Sequence, residues 1–95
     1  MKLSNETREV LKNFASINSN LLVRAGNKIA TMSAMRNIVA LATIEETFER
    51  EFAIYDLNEF LAALSLFKNP VLDFKEKYVM MSEEDSKTSI KYFAL

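Results

Sequence analysis

The side chains in this sequence best placed to do chemistry are cations. Arg8 and Lys12 stand four residues apart, which sets one above the other on a helix. Lys2 precedes them, and Lys68 closes a second helical stretch further on. Mobile cations on helix faces neutralise phosphates without reading bases, and such contact is weak, salt-sensitive and indifferent to sequence. Glu9 lies beside the pair and dilutes it. On spacing alone, an ordinary solvated surface is the simpler account.

Catalysis finds little support. There is no His and no Cys, which removes the commonest general base, the thiolate nucleophile and the usual metal ligands. A Ser or Thr nucleophile would have only Lys or a carboxylate as its base. The acidic neighbours Glu45/Glu46 and Glu83/Glu84 fall in polar connections, where adjacent residues do not converge as a glycosidase pair or a metal cage must. Gly26 is the single glycine, so no phosphate-cradling loop exists. Stacking on single-stranded bases needs exposed aromatics, and here most aromatics fall in apolar stripes. The expectation is a non-enzymatic protein without metal or cofactor.

The elements that must position those cations fit one domain of 95 residues, with a radius of gyration of about 12 Å if compact. Hydrophobic residues make up 49% of the chain, enough for a core. Basic and acidic residues number 12 and 13, so no net charge announces a partner, and charge has to be read by position. No signal peptide stands out, and no apolar run nears the ~20 residues of a membrane span. With the missing Cys, this reads as a soluble, cytoplasmic protein.

The organising stretch is EFAIYDLNEFLAALSLFK, residues 51–68. Phe52 and Ile54 alternate with Ala53 and Tyr55 as in a half-buried strand. Asp56 then stands at an N-cap, with Glu59 at capping-box spacing. Leu57, Phe60, Leu61, Leu64 and Phe67 form one apolar stripe. The opposite face, Asn58, Ala62 and Ser65, is small and uncharged, as if it met another surface or lined a passage.

Upstream, Ser4 reads as the N-cap of a helix over Asn5–Ala15, with Leu3, Val10, Leu11 and Phe14 on its apolar side. Residues 21–25 and 28–32 read as strands joined at Gly26-Asn27, where Gly at the first central position suits a type II′ hairpin. Residues 37–44 make a third strand, with Ile38, Ala40, Ala42 and Ile44 on one face and Val39, Leu41 and Thr43 on the other. Both faces are apolar, so the strand is either central or meets a partner. Glu45, Glu46, Glu49 and Glu51 read as a solvated acidic connection. Downstream, Asn69 and Pro70 end the second helix, residues 71–74 and 78–81 are strands, Glu83-Glu84-Asp85 is a turn, and residues 87–95 are a last strand. The order is helix, four strands, helix, three strands: two similar halves. The ending SIKYFAL has no polar tail, which suggests the first domain of a longer chain.

MKLSNETREVLKNFASINS and AIYDLNEFLAALSLF resemble the opening domain of the sliding clamps, the DNA polymerase processivity factors, of T-even-type bacteriophages. The resemblance keeps its spacing from residue 1 to about 67 and runs more loosely to 95. It implies an α+β DNA-clamp domain of two βαβββ half-repeats, with residues 1–4 as a short first strand and both helices on one face of a curved antiparallel sheet. Two such domains per subunit and three subunits would close a ring around duplex DNA, in the cytoplasm of a phage's host.

By the same resemblance Lys2 and Lys12 stand where the family carries basic residues near the inner helix, while Asn5 stands where relatives are often basic. Arg8 joins them from its place one turn before Lys12, and Lys68 from the end of the second helix. Residues 37–44, through Ile38, Ala40 and Ala42, would meet the second domain. Residues 87–95, through Ile90 and Tyr92, would pair with a neighbouring subunit. The implied partners are duplex DNA, a polymerase, a clamp loader and other clamp domains, with no membrane. The alternative is a small self-associating module that does not bind DNA.

Overall fold

The computed structural model describes residues 1–83 and 87–93. Its element order is that expected: α1 (Asn5–Ala15), β1 (Leu21–Val23), β2 (Gly26–Met32), β3 (Val39–Phe48), β4 (Phe52–Ile54), α2 (Leu57–Leu64), β5 (Pro70–Phe74), β6 (Tyr78–Glu83) and β7 (Ser89–Phe93). The radius of gyration is 12.8 Å.

Both helices begin at the expected caps. The Ser4 hydroxyl oxygen accepts from the Thr7 amide at 3.1 Å, and an Asp56 carboxylate oxygen accepts from the Glu59 amide at 3.1 Å. Each cap satisfies a donor that has no partner inside its helix. The reciprocal half of the α2 capping box is replaced by Tyr92, whose hydroxyl receives the Asp56 amide at 3.4 Å and donates to the Asp56 carbonyl at 3.1 Å.

The strands are antiparallel throughout, but their ladders fall into three pieces, β1-β4, β2-β3 and β5-β6-β7, instead of one continuous sheet. The hairpin expected between residues 21–25 and 28–32 is not there. β1 pairs with β4 (Leu21 opposite Ile54, Val23 opposite Phe52), and β2 pairs with β3 (Lys28 opposite Thr43, Met32 opposite Val39). The chain from 21 to 32 therefore runs against the chain from 39 to 54 as one two-stranded ribbon. It bends where Gly26 sits opposite Phe48 and the register slips before Lys28. Gly26 has φ +116°, which side-chain-bearing residues rarely adopt, so the glycine makes a corner and not a turn.

β3 also differs from expectation. Asn37 and Ile38 belong to the connection that closes the β2-β3 hairpin, and the strand runs on through Glu45 and Glu46 to Phe48. Alternation continues through the acidic run, with Ile44, Glu46 and Phe48 all buried. At the far end, β7 covers Ser89–Phe93 and Glu83 completes β6. Glu84, Asp85 and residues 94–95 lie outside the described residues.

The two halves exchange their first strands. Lys2 bridges antiparallel to Val71 of β5, with the Leu72 amide on the Met1 carbonyl at 2.7 Å and the Leu3 amide on the Pro70 carbonyl at 3.3 Å. In the same way β4, the first strand of the second half, pairs with β1 of the first. Neither half is complete alone. One core serves both, with Phe74 of β5 edge-on to Phe48 and Phe52 at 5.5 and 5.2 Å, and Phe60 of α2 edge-on to Tyr92 at 5.2 Å.

Leu64 is fully buried at the centre of that core. Leu64→Ala is expected to cost about 2–5 kcal/mol, a large share of the stability of a small domain. Urea unfolding measures it, and a midpoint equal to the wild type's would contradict this account of the core.

Candidate nucleic-acid interface

α1 buries Thr7, Leu11 and Phe14, α2 buries Leu57, Phe60 and Leu64, and the two helices pack against each other. Helical spacing leaves Asn5, Glu9 and Lys12 exposed on α1 and Asn58, Glu59 and Ala62 on α2, with Ser65 exposed at its cap. The small, largely uncharged α2 face inferred from the sequence is thus open, and it lies beside α1.

The four candidate cations are not equivalent. Arg8 is half-buried between the helices, with its two terminal nitrogens 3.5 Å from the Leu64 carbonyl and 3.4 Å from that of Lys68. It therefore ties α1 to the last turn of α2 and to the connection beyond it; the helix stops at Leu64, so Lys68, expected at its end, stands exposed in the connection to β5. Lys12 is also exposed, and its Nζ lies 3.3 Å from Glu9 Oε1. An ion pair so open to water contributes at most about 1 kcal/mol, so Lys12 can exchange Glu9 for another anion at little cost. Lys2 is exposed on the terminal segment beside β5 and lines one concavity with Asn5 and Asn69. Three of the four cations can be reached directly from solvent, and the fourth links α1 to α2.

The candidate interface residues divide by face. On β3, Ala40 and Ala42 are half-buried and turn inward, whereas Ile38 is exposed in the hairpin connection. Outward on the same strand stand Val39 and Leu41, at 62% and 78% exposure, so an apolar outer face exists where the sequence places it. On β7, Ile90 is half-buried and Tyr92 is a core residue. Any contribution of Tyr92 to edge pairing would be through its backbone. Among the described residues β3 pairs only with β2, and β7 only with β6.

Glu46 is the site residue that reading by spacing missed. Its carboxylate reaches from β3 to the start of α1, with Oε2 accepting from the Ser4 amide at 2.6 Å and Oε1 from the Thr7 hydroxyl at 2.5 Å. Burial disfavours the charged form, but the bonds from Thr7 and Ser4 outweigh it and hold the carboxyl below its usual value. The signal lay in the alternation Ile44-Glu46-Phe48, which a run of acids disguises as a loop. Tyr92 does the same work for α2. Burial, aided by the negative charges of Glu59 and Asp56, holds its phenol above the ordinary value, so it stays a neutral donor to the Asp56 carbonyl.

Among the described residues no group of carboxylates is placed to hold a metal ion, and no helix is long and apolar enough to cross a membrane.

Comparison with known proteins adds an independent line. Residues 4–95 match the model of the DNA polymerase processivity factor family. The chain is 50% identical over 82 residues to the sliding clamp of Vibrio phage KVP40, covering 86% of this chain and 37% of that protein. It is 47% identical over 66 residues to the sliding clamp of Escherichia phage RB69 and 46% identical to that of Enterobacteria phage T4. Each of the latter two matches covers 70% of this chain and 29% of the relative. The chain thus spans about a third of the length of these relatives.

The Glu46 latch has a measurable pH signature. Glu46→Gln is expected to lower stability at neutral pH by about 1–3 kcal/mol. Because the folded-state pKa lies below the unfolded value, the carboxylate's contribution is complete above the ordinary value of 4.5 and is lost as pH falls through the folded value. Urea midpoints of both proteins from neutral pH into the acid range check this, and parallel profiles would contradict it.

Proposed function

The chain belongs to the DNA polymerase processivity factor family, and from that membership we propose that it forms one domain of a sliding clamp that encircles duplex DNA and tethers a replicative polymerase. The observation that carries the reading is the Arg8 link. It joins α1, which carries Arg8 and Lys12, to the last turn of α2 next to that helix's small exposed face. A hydrated duplex needs such a surface: room, cations that neutralise phosphates, and no base-reading contacts.

Lys2, Lys12 and Lys68 are the proposed phosphate contacts of the lining, with Arg8 linking the two helices behind them. The near-neutral total suits this role, since a positive lining and an acidic exterior cancel, and a ring holds DNA by enclosure and not by affinity. The chemistry is non-enzymatic and needs no cofactor, and its place is the host-cell cytoplasm. A polymerase and a clamp loader are the further partners implied.

One domain of this size does not enclose a duplex, so the ring needs further domains. The open edges of β3 and β7 are the proposed joints, because an unpaired strand presents its backbone donors and acceptors to any chain that can continue the sheet. Since the relatives are more than twice as long as this chain, the domain beside β3 would belong to the same subunit. The exposed Val39 and Leu41 also favour the rival module that self-associates without DNA.

Salt-dependent DNA association of the assembled protein separates the two readings. Lys12→Glu with Lys68→Glu is expected to weaken it, with the fold intact. The slope of log K against log salt should fall by about 0.9 for each phosphate that is no longer neutralised. Unchanged association and slope would refute the lining. Sedimentation tests the joints, and a monomer at high concentration would rule out pairing between copies of this chain.

A further inference from the structure

α2 ends without a cation of its own. Its last turn carries no Lys or Arg, and Ser65 caps it with a hydroxyl that donates back to the Ala62 carbonyl at 2.6 Å. α1, by contrast, has Lys12 in its last turn. The aligned peptide dipoles of a helix leave about half a negative charge at such an end. On the surface proposed to face phosphates, an uncompensated carbonyl end would repel the ligand.

The compensating charge comes from the other helix. One guanidinium, that of Arg8, meets the Leu64 carbonyl in the last turn of α2 at 3.5 Å and, in the connection just beyond the helix, the Lys68 carbonyl at 3.4 Å. Both distances are long for hydrogen bonds, so the attraction is mainly charge to dipole. A planar fork spreads it over two acceptors, which a single ammonium does less well. Arg8 is half-buried where Lys12 is exposed, as suits a group committed to protein partners.

We infer that Arg8 is a positioning residue: it supplies from α1 the cation that α2 lacks, holds the closing turn of α2 against α1, and screens that carbonyl end from passing phosphates. The screening role rests on the DNA reading above. The bracing role does not.

The test reads the Phe67 amide, which shares the Leu64 carbonyl with Arg8 through a 3.0 Å bond. In Arg8→Gln its hydrogen exchange is expected to accelerate about two- to five-fold, the factor that corresponds to a cation at a helix end. The Val79 and Met81 amides of β6 keep wild-type rates as a check on the fold. Adding Ala62→Lys, which puts a cation into the last turn of α2 itself, is expected to restore the Phe67 rate, and Arg8→Lys to restore it only in part. Phe67 exchange at the wild-type rate in Arg8→Gln overturns the brace. So does that rate combined with a salt slope reduced by about 0.9, which would make Arg8 a direct phosphate ligand. Failure of the DNA reading shows elsewhere, as Lys12→Glu without effect on DNA association, and leaves the exchange result standing.

Discussion

An amphipathic helix can slide or rotate on the sheet beneath it, because apolar contact has no direction. What fixes both helices here is a polar side chain turned inward from the strand that ends each half. Glu46 of β3 meets the Ser4 amide and the Thr7 hydroxyl at the start of α1, and Tyr92 of β7 meets the Asp56 backbone at the start of α2. Hydrogen bonds are directional, and a buried acceptor left unmade costs more than a made one contributes. Each helix is therefore registered at its first turn. The exposed faces, and the cations on them, follow from that register.

The two latches use different chemistry for one task. A carboxylate serves α1, where it gathers an amide and a hydroxyl and gains from the positive end of the helix. A phenol serves α2, where Asp56 already supplies the negative charge and a second one would be repelled. Among the described residues β3 and β7 each pair with a single strand, so each joins an unpaired edge to a helix start. Edge and helix face are connected through one side chain in each half.

Several features can be read from residue order alone. Cap residues, apolar stripes and the small α2 face depend on near neighbours, and the sequence places Ser4, Asp56 and the Leu57–Phe60–Leu64 stripe correctly. Gly26 misleads for an equally physical reason. A glycine permits positive φ but does not say whether the chain reverses there or merely bends. That choice depends on β4, some thirty residues away, which takes the place beside β1 that a hairpin partner would have filled. Glu46 misleads because charge suggests solvent, while its burial depends on two donors from α1 that arrive from about forty residues earlier.

The sequence by itself determined the helices and the approximate positions of the strands among the described residues, the absence of His and Cys chemistry, and the spacing of Arg8 and Lys12. All of these are set by periodicity and composition over a few residues. Only the tertiary structure decided which strands pair, that the halves trade their first strands, and that Glu46 and Tyr92 latch the helices. It alone put Arg8 against the end of α2. Those outcomes join residues far apart in the chain, and they arise when buried donors and acceptors find one another in a shared core, which no local pattern encodes.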